Sequence, residues 1–291
     1  MIEETGSDPD TLVAQLDASA ERRLTPCGDG DMVWRIWGDG PALVLLHGGH
    51  GSWTHWIRNI PDLAASYRLY VPDLPGYGES GTPAEPHTSE NLGEIVANGV
   101  NLVLPPETPC AMVGFSLGGI IGGSAAAMLG PRVHTFVVIG SSGLDLPRVN
   151  IGGLQKWTPD MPEAVLRDIH RQNLATIMVA DPNNIDALAL RLQMSNTLKA
   201  RVKGSAIARS GALRRALPAI KARLVCISGA SDVYVVDSVD ERKALFHAVQ
   251  PDTPFHSIDG AGHWVMYEAA DTFNRTLDQA LRAAAPGSVS I

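Results

Sequence analysis

The sequence predicts an α/β fold, a mainly parallel sheet flanked by helices. Three observations predict it: short apolar runs without polar alternation, turn residues that close each run, and helix-length segments between runs. In chain order, residues 8–23 read as a short amphipathic helix with Leu12, Val13 and Leu16 on one side. Residues 32–37 (MVWRIW) form an apolar run closed by GDGP, which reads as a hairpin-like turn. Residues 42–46 (ALVLL) run into His47-Gly48-Gly49, and residues 67–71 run into Pro-Asp-Leu-Pro-Gly. Further runs at 111–114, 135–139, 224–227 and 255–258 end at Ser116, GSSG, GASD and DGAGH. Helices are expected over 89–104 and 118–129.

Between residues 144 and 215 no strand run appears, and helical pieces at 162–180 and 184–203 are punctuated by Pro159, Pro182 and Gly204. A helical insertion between two strands of a parallel sheet reads as a lid or cap. The chain therefore divides into an N-terminal helical extension (1–24), a core (25–143 and 216–291) and a helical cap (144–215).

At 291 residues, 45% hydrophobic and 19% charged, the chain can bury a large core and is not a disordered one. Its net charge of −8 argues against nucleic acid or an anionic membrane surface as the main partner. The charge is uneven. Residues 144–215 hold 11 Lys and Arg against 6 Asp and Glu, while the remainder holds 12 against 25. Cys27, Cys110 and Cys226 are too few and too scattered for a disulfide framework, and the acidic N-terminus lacks the apolar run of a signal peptide. These features lead us to expect a soluble, cytoplasmic protein.

The strongest motif is Gly114-Phe115-Ser116-Leu117-Gly118, a G-x-S-x-G pattern between an apolar run and a helix-compatible run. Such a pattern sets a serine on a sharp strand-to-helix turn, where flanking side chains would collide and the helix N-terminus favours a developing oxyanion. An ordinary glycine-rich turn is the competing reading. A serine nucleophile needs a base. Among nine histidines, His263 follows the last strand run in Asp-Gly-Ala-Gly-His, at the strand end where such sheets place ligands. His47 reads as loop packing. The base needs an orienting carboxylate, and Asp232 stands between Ser116 and His263 at another strand end. Asp237, Asp240 and Asp145 are fallbacks. The oxyanion donors expected are the N–H groups of Leu117 and Gly49. No pair of histidines shows a metal-ligand arrangement, so neither metal nor cofactor is expected.

With these residues named, the chain resembles the α/β-hydrolase superfamily over residues 34–281, most closely in LLHGGHGSW, VPDLPGYGES, MVGFSLGG, ISGASD and GAGHWVMYEAADTFN. The resemblance implies a helical cap inserted after the sixth strand, and a structural loop from Asp73 to Ser80. A serine rather than an aspartate at the elbow turns the reading away from haloalkane dehalogenases and epoxide hydrolases. His263-Trp264 and the residues after it are similar to carbon–carbon bond hydrolases of meta-cleavage pathways. That subfamily also implies substrate-binding roles for Asn59, in an Arg58-Asn59 pair, and for a cap arginine matched by Arg191. Phe115 stands where the subfamily usually has asparagine, and Gly-Gly-His-Gly replaces its usual Gly-Gly-Gly-Pro-Gly. Phe115 and Trp264 complete the expected substrate-binding set.

The leading expectation is a serine hydrolase that cleaves a small carboxylic ester through an acyl-enzyme. The alternatives are hydrolysis of a carbon–carbon bond in a meta-cleavage product, or a non-catalytic ligand-binding protein on the same fold. The expected partner is a small-molecule substrate, with a homodimer left open. The basic insert has two readings: solvated helix faces, or a cation, Arg191 foremost, that attracts an anionic substrate group.

Overall fold

A computed structural model describes residues 8–147 and 151–283. Among these residues β1 (Glu21–Cys27), β2 (Gly30–Trp37), β3 (Ala42–Leu46), β4 (Arg68–Pro72), β5 (Cys110–Phe115), β6 (Val133–Ile139), β7 (Arg223–Gly229) and β8 (Phe255–Ile258) form one sheet. Its order is β1-β2-β4-β3-β5-β6-β7-β8. The β1–β2 and β2–β4 pairs are antiparallel, and every pair from β4–β3 onward is parallel.

The non-alternating apolar runs have their cause in this arrangement. All of β3 and β5 is buried. Leu43 and Leu45 of β3 join one core cluster with Val113, Val137 and Val225, while Val44 and Leu46 join another with Met112 and Phe136. Strands covered on both faces have no polar side to show.

Helices α1 (Pro9–Ala18), α2 (Ile60–Leu63), α3 (Ser89–Val103) and α4 (Leu117–Leu129) precede β6. Thr88 starts α3 by accepting the Asn91 N–H on its hydroxyl at 3.1 Å. Helix α4 is apolar nearly all round and almost wholly buried, as a helix between a sheet and a neighbour must be. Its small residues allow that fit: a Cβ on Gly93 of α3 would lie 2.6 Å from the Ser124 Cβ of α4. Between β6 and β7 the described regular structure is helical: α5 (Glu163–Ile177), α6 (Ala187–Leu198), α7 (Gly204–Ala208) and α8 (Ala212–Ala216), with short 3-10 turns. Then come α9 (Val239–His247), α10 (Val265–Glu268) and α11 (Ala270–Arg282). Helix α11 buries Phe273, Leu277, Ala280 and Leu281, a three-and-four spacing that makes one apolar stripe.

Three local expectations fail. The helix read over 8–23 ends at Ala18, and β1 begins at Glu21, so a boundary at residue 24 cuts a strand of the sheet. Strand β1 pairs only with β2 and exposes most of its side chains, so it carries no apolar run to read. The GDGP turn does not join a hairpin either: β4 lies between β2 and β3, and the hairpin is β1–β2, turning at Gly28 and Asp29 with Cys27 opposite Gly30. The insertion is also more broken than expected, because α6 stops at Leu198 and α7 and α8 follow as separate short helices.

Candidate active site

Ser116 stands between the end of β5 and the start of α4, with φ 51° and ψ −115°. A residue with a Cβ pays for such a backbone with about 1–3 kcal/mol of strain. The surroundings hold it there: its N–H donates to Ile139 O of β6 at 2.8 Å, and its carbonyl accepts from Gly119 N–H at 3.0 Å. The flanking glycines are sterically required. A Cβ on Gly114 would lie 2.5 Å from Gly118 O, and one on Gly118 would lie 2.4 Å from His47 O. The Ser116 side chain does not cap α4, and its hydroxyl faces a cavity of about 550 Å³.

His263 lines the same cavity. Its Nδ1 is 2.9 Å from Asp232 Oδ2, and the two residues are 3% and 0% exposed, so this hydrogen bond is shielded from water. The other oxygen of Asp232 accepts the Tyr234 N–H at 2.9 Å, which leaves neither oxygen unused. Phe115 and Tyr234 pack against the imidazole with ring centroids 4.8 Å and 4.6 Å away. Gly140 completes the wall: a Cβ there would lie 2.6 Å from Asp232 Oδ2 and 3.0 Å from His263 Nδ1.

The loop after β3 faces Ser116. Gly49 and Leu117 both line the cavity, and a Cβ on Gly49 would lie 3.6 Å from the Leu117 side chain. Their N–H groups have no acceptor among the described residues, Leu117 because it is the first residue of its helix. His47 accepts the Leu74 N–H on Nε2 at 2.8 Å and donates from Nδ1 to Gly48 O at 2.7 Å, which ties this loop to the loop after β4. His55, which has no distinguishing context in the sequence, accepts the Gly48 N–H on Nδ1 at 3.2 Å and packs against Phe115 and Trp264. Both rings are buried, and burial pushes their pKa values down, that of His55 far below the ordinary value.

Three expected binding residues lie outside the cavity. Asn59 is buried beneath α10 and α11, with its amide donating to Met266 O at 2.9 Å and to Asn274 Oδ1 at 2.8 Å. Trp264 follows His263 but points away from the cavity: its indole N–H donates to His55 O at 3.1 Å, and its ring stacks on Tyr267 at 4.1 Å. Arg191 lies on α6 and reaches across to α1, where it pairs with Asp10 at 2.7 Å. Each of the three is taken up by contacts between elements. The roof over Ser116 is instead the loop after β6 (Leu144, Leu146), the end of α5 (Ile177, Met178) and α7 (Ser205, Ala208). Tyr234, Arg209 and Arg242 also line the cavity, and no motif in the sequence marks them. Arg148, one of the basic residues of the insert, lies outside the described residues.

A model of the alpha/beta hydrolase family matches residues 43–276. The pimeloyl-[acyl-carrier protein] methyl ester esterase of Aeromonas hydrophila is 38% identical over 106 residues, which cover 36% of this chain and only 39% of that protein. The 2-hydroxy-6-oxo-6-phenylhexa-2,4-dienoate hydrolase of Burkholderia cepacia is 27% identical over 83% of this chain and 88% of its own length. A meta-cleavage product hydrolase from Pseudomonas fluorescens superposes with a TM-score of 0.71, covering 90% of this chain and 98% of that one; at 19% identity this is a likeness of fold. With a family match that runs from β3 into α11, the chain belongs to the alpha/beta hydrolase family.

Proposed function

We propose that the protein is a serine hydrolase that cleaves a small carboxylic ester through an acyl-enzyme. The observation that carries this reading is a single cavity lined by Ser116 on its strained turn, by Asp232-bonded His263, and by the Gly49 and Leu117 N–H donors. With Nδ1 engaged by Asp232, the Nε2 of His263 is the nitrogen left to take the Ser116 proton. Ser116 Oγ attacks the ester carbonyl, and the oxygen that gains charge is met by the Gly49 and Leu117 N–H groups. His263 then gives its proton to the leaving alcohol, and a water deprotonated by His263 releases the acid and frees Ser116. The Aeromonas relative's name, a methyl ester esterase, supports the ester reading. Turnover of p-nitrophenyl acetate and butyrate by the wild type and by Ser116→Ala tests it. The variant is expected to lose at least about a thousandfold in kcat. Saturable turnover at the wild-type rate in the variant would sink the reading.

The second reading, carbon–carbon bond hydrolysis of a 2-hydroxy-6-oxo-dienoate, is favoured by the near full-length match to the Burkholderia hydrolase. It uses the same serine and histidine but needs a polar pocket for the dienoate, and Asn59, Arg191 and Trp264 do not supply one. A coloured dienoate assayed beside the esters separates the two readings.

We place the substrate's anionic group, where it has one, at α7. Ser205 and Arg209 are four residues apart and share the cavity wall, and neither side chain has a hydrogen-bond or ion-pair partner among the described residues. Arg191, spent on Asp10, is replaced by Arg209 in this role.

A further inference from the structure

Arg242 lies in the first turn of α9, outside every motif that drew attention in the sequence. It is half-buried and borders the cavity, yet no carboxylate lies within ion-pair distance of it among the described residues. Its donors go to three points on two loops. Nε donates to Ser238 Oγ at 3.0 Å, one terminal nitrogen to Ser141 O at 2.5 Å, and the other to Tyr234 O at 2.6 Å. Ser141 follows β6, and Tyr234 belongs to the loop after β7 that carries Asp232. Burial lowers the Arg242 pKa, so the fold carries a desolvation cost to keep a cation here. A planar fork can span two carbonyls in fixed directions, which an ammonium cannot.

Tyr234 is the link to the chemistry. Its N–H holds Asp232 Oδ1, its ring packs against His263, and its carbonyl is the one Arg242 grips. We propose that Arg242 is a positioning residue which, through Tyr234 and Ser141, fixes the loop that orients Asp232 and therefore His263. The proposal rests on the ester-hydrolase reading of Ser116 and His263. Displacing a catalytic base by a fraction of an ångström costs rate while leaving most binding contacts intact.

The test compares wild type, Arg242→Ala and Arg242→Lys by p-nitrophenyl butyrate kinetics and by the rate at which a fluorophosphonate probe labels Ser116. Thermal unfolding is measured alongside. Arg242→Ala is expected to lose about tenfold or more in kcat, with KM within about twofold, and to label Ser116 more slowly by a similar factor. Arg242→Lys retains the charge and stays slow. Ethylguanidinium added to Arg242→Ala regains part of the lost rate, an effect that general loosening of the fold does not produce. Wild-type labelling and kcat in Arg242→Ala overturn the assignment, as does full recovery in Arg242→Lys. Should Arg242→Ala fail to fold, slow labelling by a folded Arg242→Lys supports the proposal and wild-type labelling overturns it. Failure of the wild type itself to label at Ser116 would instead defeat the reading on which the proposal rests.

Discussion

His47 and His55 sit behind the Gly49 donor, and the bonds they make require each ring to be neutral. His47 Nε2 and His55 Nδ1 each accept a main-chain N–H, from Leu74 and Gly48, so a proton on either nitrogen removes a bond and charges a buried ring. Burial is the leading cause of both depressed pKa values. The unfolded chain therefore binds protons that the folded chain refuses. Stability is at its full value above the unfolded histidine pKa of about 6.5 and falls as pH drops below it. Each such histidine contributes up to about 1.4 kcal/mol per pH unit to that slope. Urea unfolding between pH 7.5 and 5 is expected to show a slope in His55→Gln that is shallower than wild type by about this amount. An unchanged slope would mean that His55 is not held neutral. At this scale the sequence was most legible where chemistry forces residue type: the glycines around Ser116 are dictated by clashes with main-chain atoms of Gly118 and His47. It was least legible for Tyr234, whose contribution runs mainly through its main-chain N–H and carbonyl, groups that every non-proline residue owns.

Elements decide which side chains reach the cavity. Helix α6 lies between α5 and α1, so Arg191 meets Asp10, whereas the shorter α7 lies over Leu117. A Cβ on Gly204 of α7 would lie 2.8 Å from the Leu117 side chain, which shows how closely the two elements pack. Ser205 of that helix and Arg209, which follows its last residue, line the cavity. Arg209 is largely exposed, so water screens any ion pair it makes, and a contribution of about 1 kcal/mol is a reasonable scale. Arg209→Ala is therefore expected to raise KM about fivefold for an ester that bears a distal carboxylate, and to leave a neutral ester of equal length within about twofold. Equal effects on both esters would remove Arg209 from the binding site. The end of α5 is joined to the His263 loop as well. Trp264 N–H donates to Met178 O at 2.7 Å, and the Glu268 carboxylate accepts N–H groups from Ala180, Asp181 and Gly262. The insertion and the His263 loop are thus held as one assembly. Sequence periodicity showed that the insertion is helical. It could not show which helix covers the site, because that depends on packing between segments far apart in the chain.

Across the whole molecule, the parallel strands and the placing of Ser116, Asp232 and His263 after strand ends were legible because each rests on a strong local pattern with a physical cause: burial on both sheet faces, and turns at strand ends. Strand β1 was hidden, since an edge strand with exposed side chains has no apolar signature. The charge split also changes meaning in three dimensions. The basic excess of residues 144–215 is in part consumed by partners outside that segment: Arg191 by Asp10, Arg215 by Glu90, and Arg201 by main-chain carbonyls of Gly78 and Ser80. No described helix is long and apolar enough to cross a membrane. Ester hydrolysis at this site requires that Ser116 be acylated during turnover. Acid-quenching the protein within the first turnover of p-nitrophenyl butyrate, followed by peptide mass spectrometry, measures this directly. The prediction is a butyryl adduct on the peptide that contains Ser116, present in the wild type and absent in Ser116→Ala. Steady ester hydrolysis by the wild type with no adduct on Ser116, or an adduct that persists in Ser116→Ala, would contradict it.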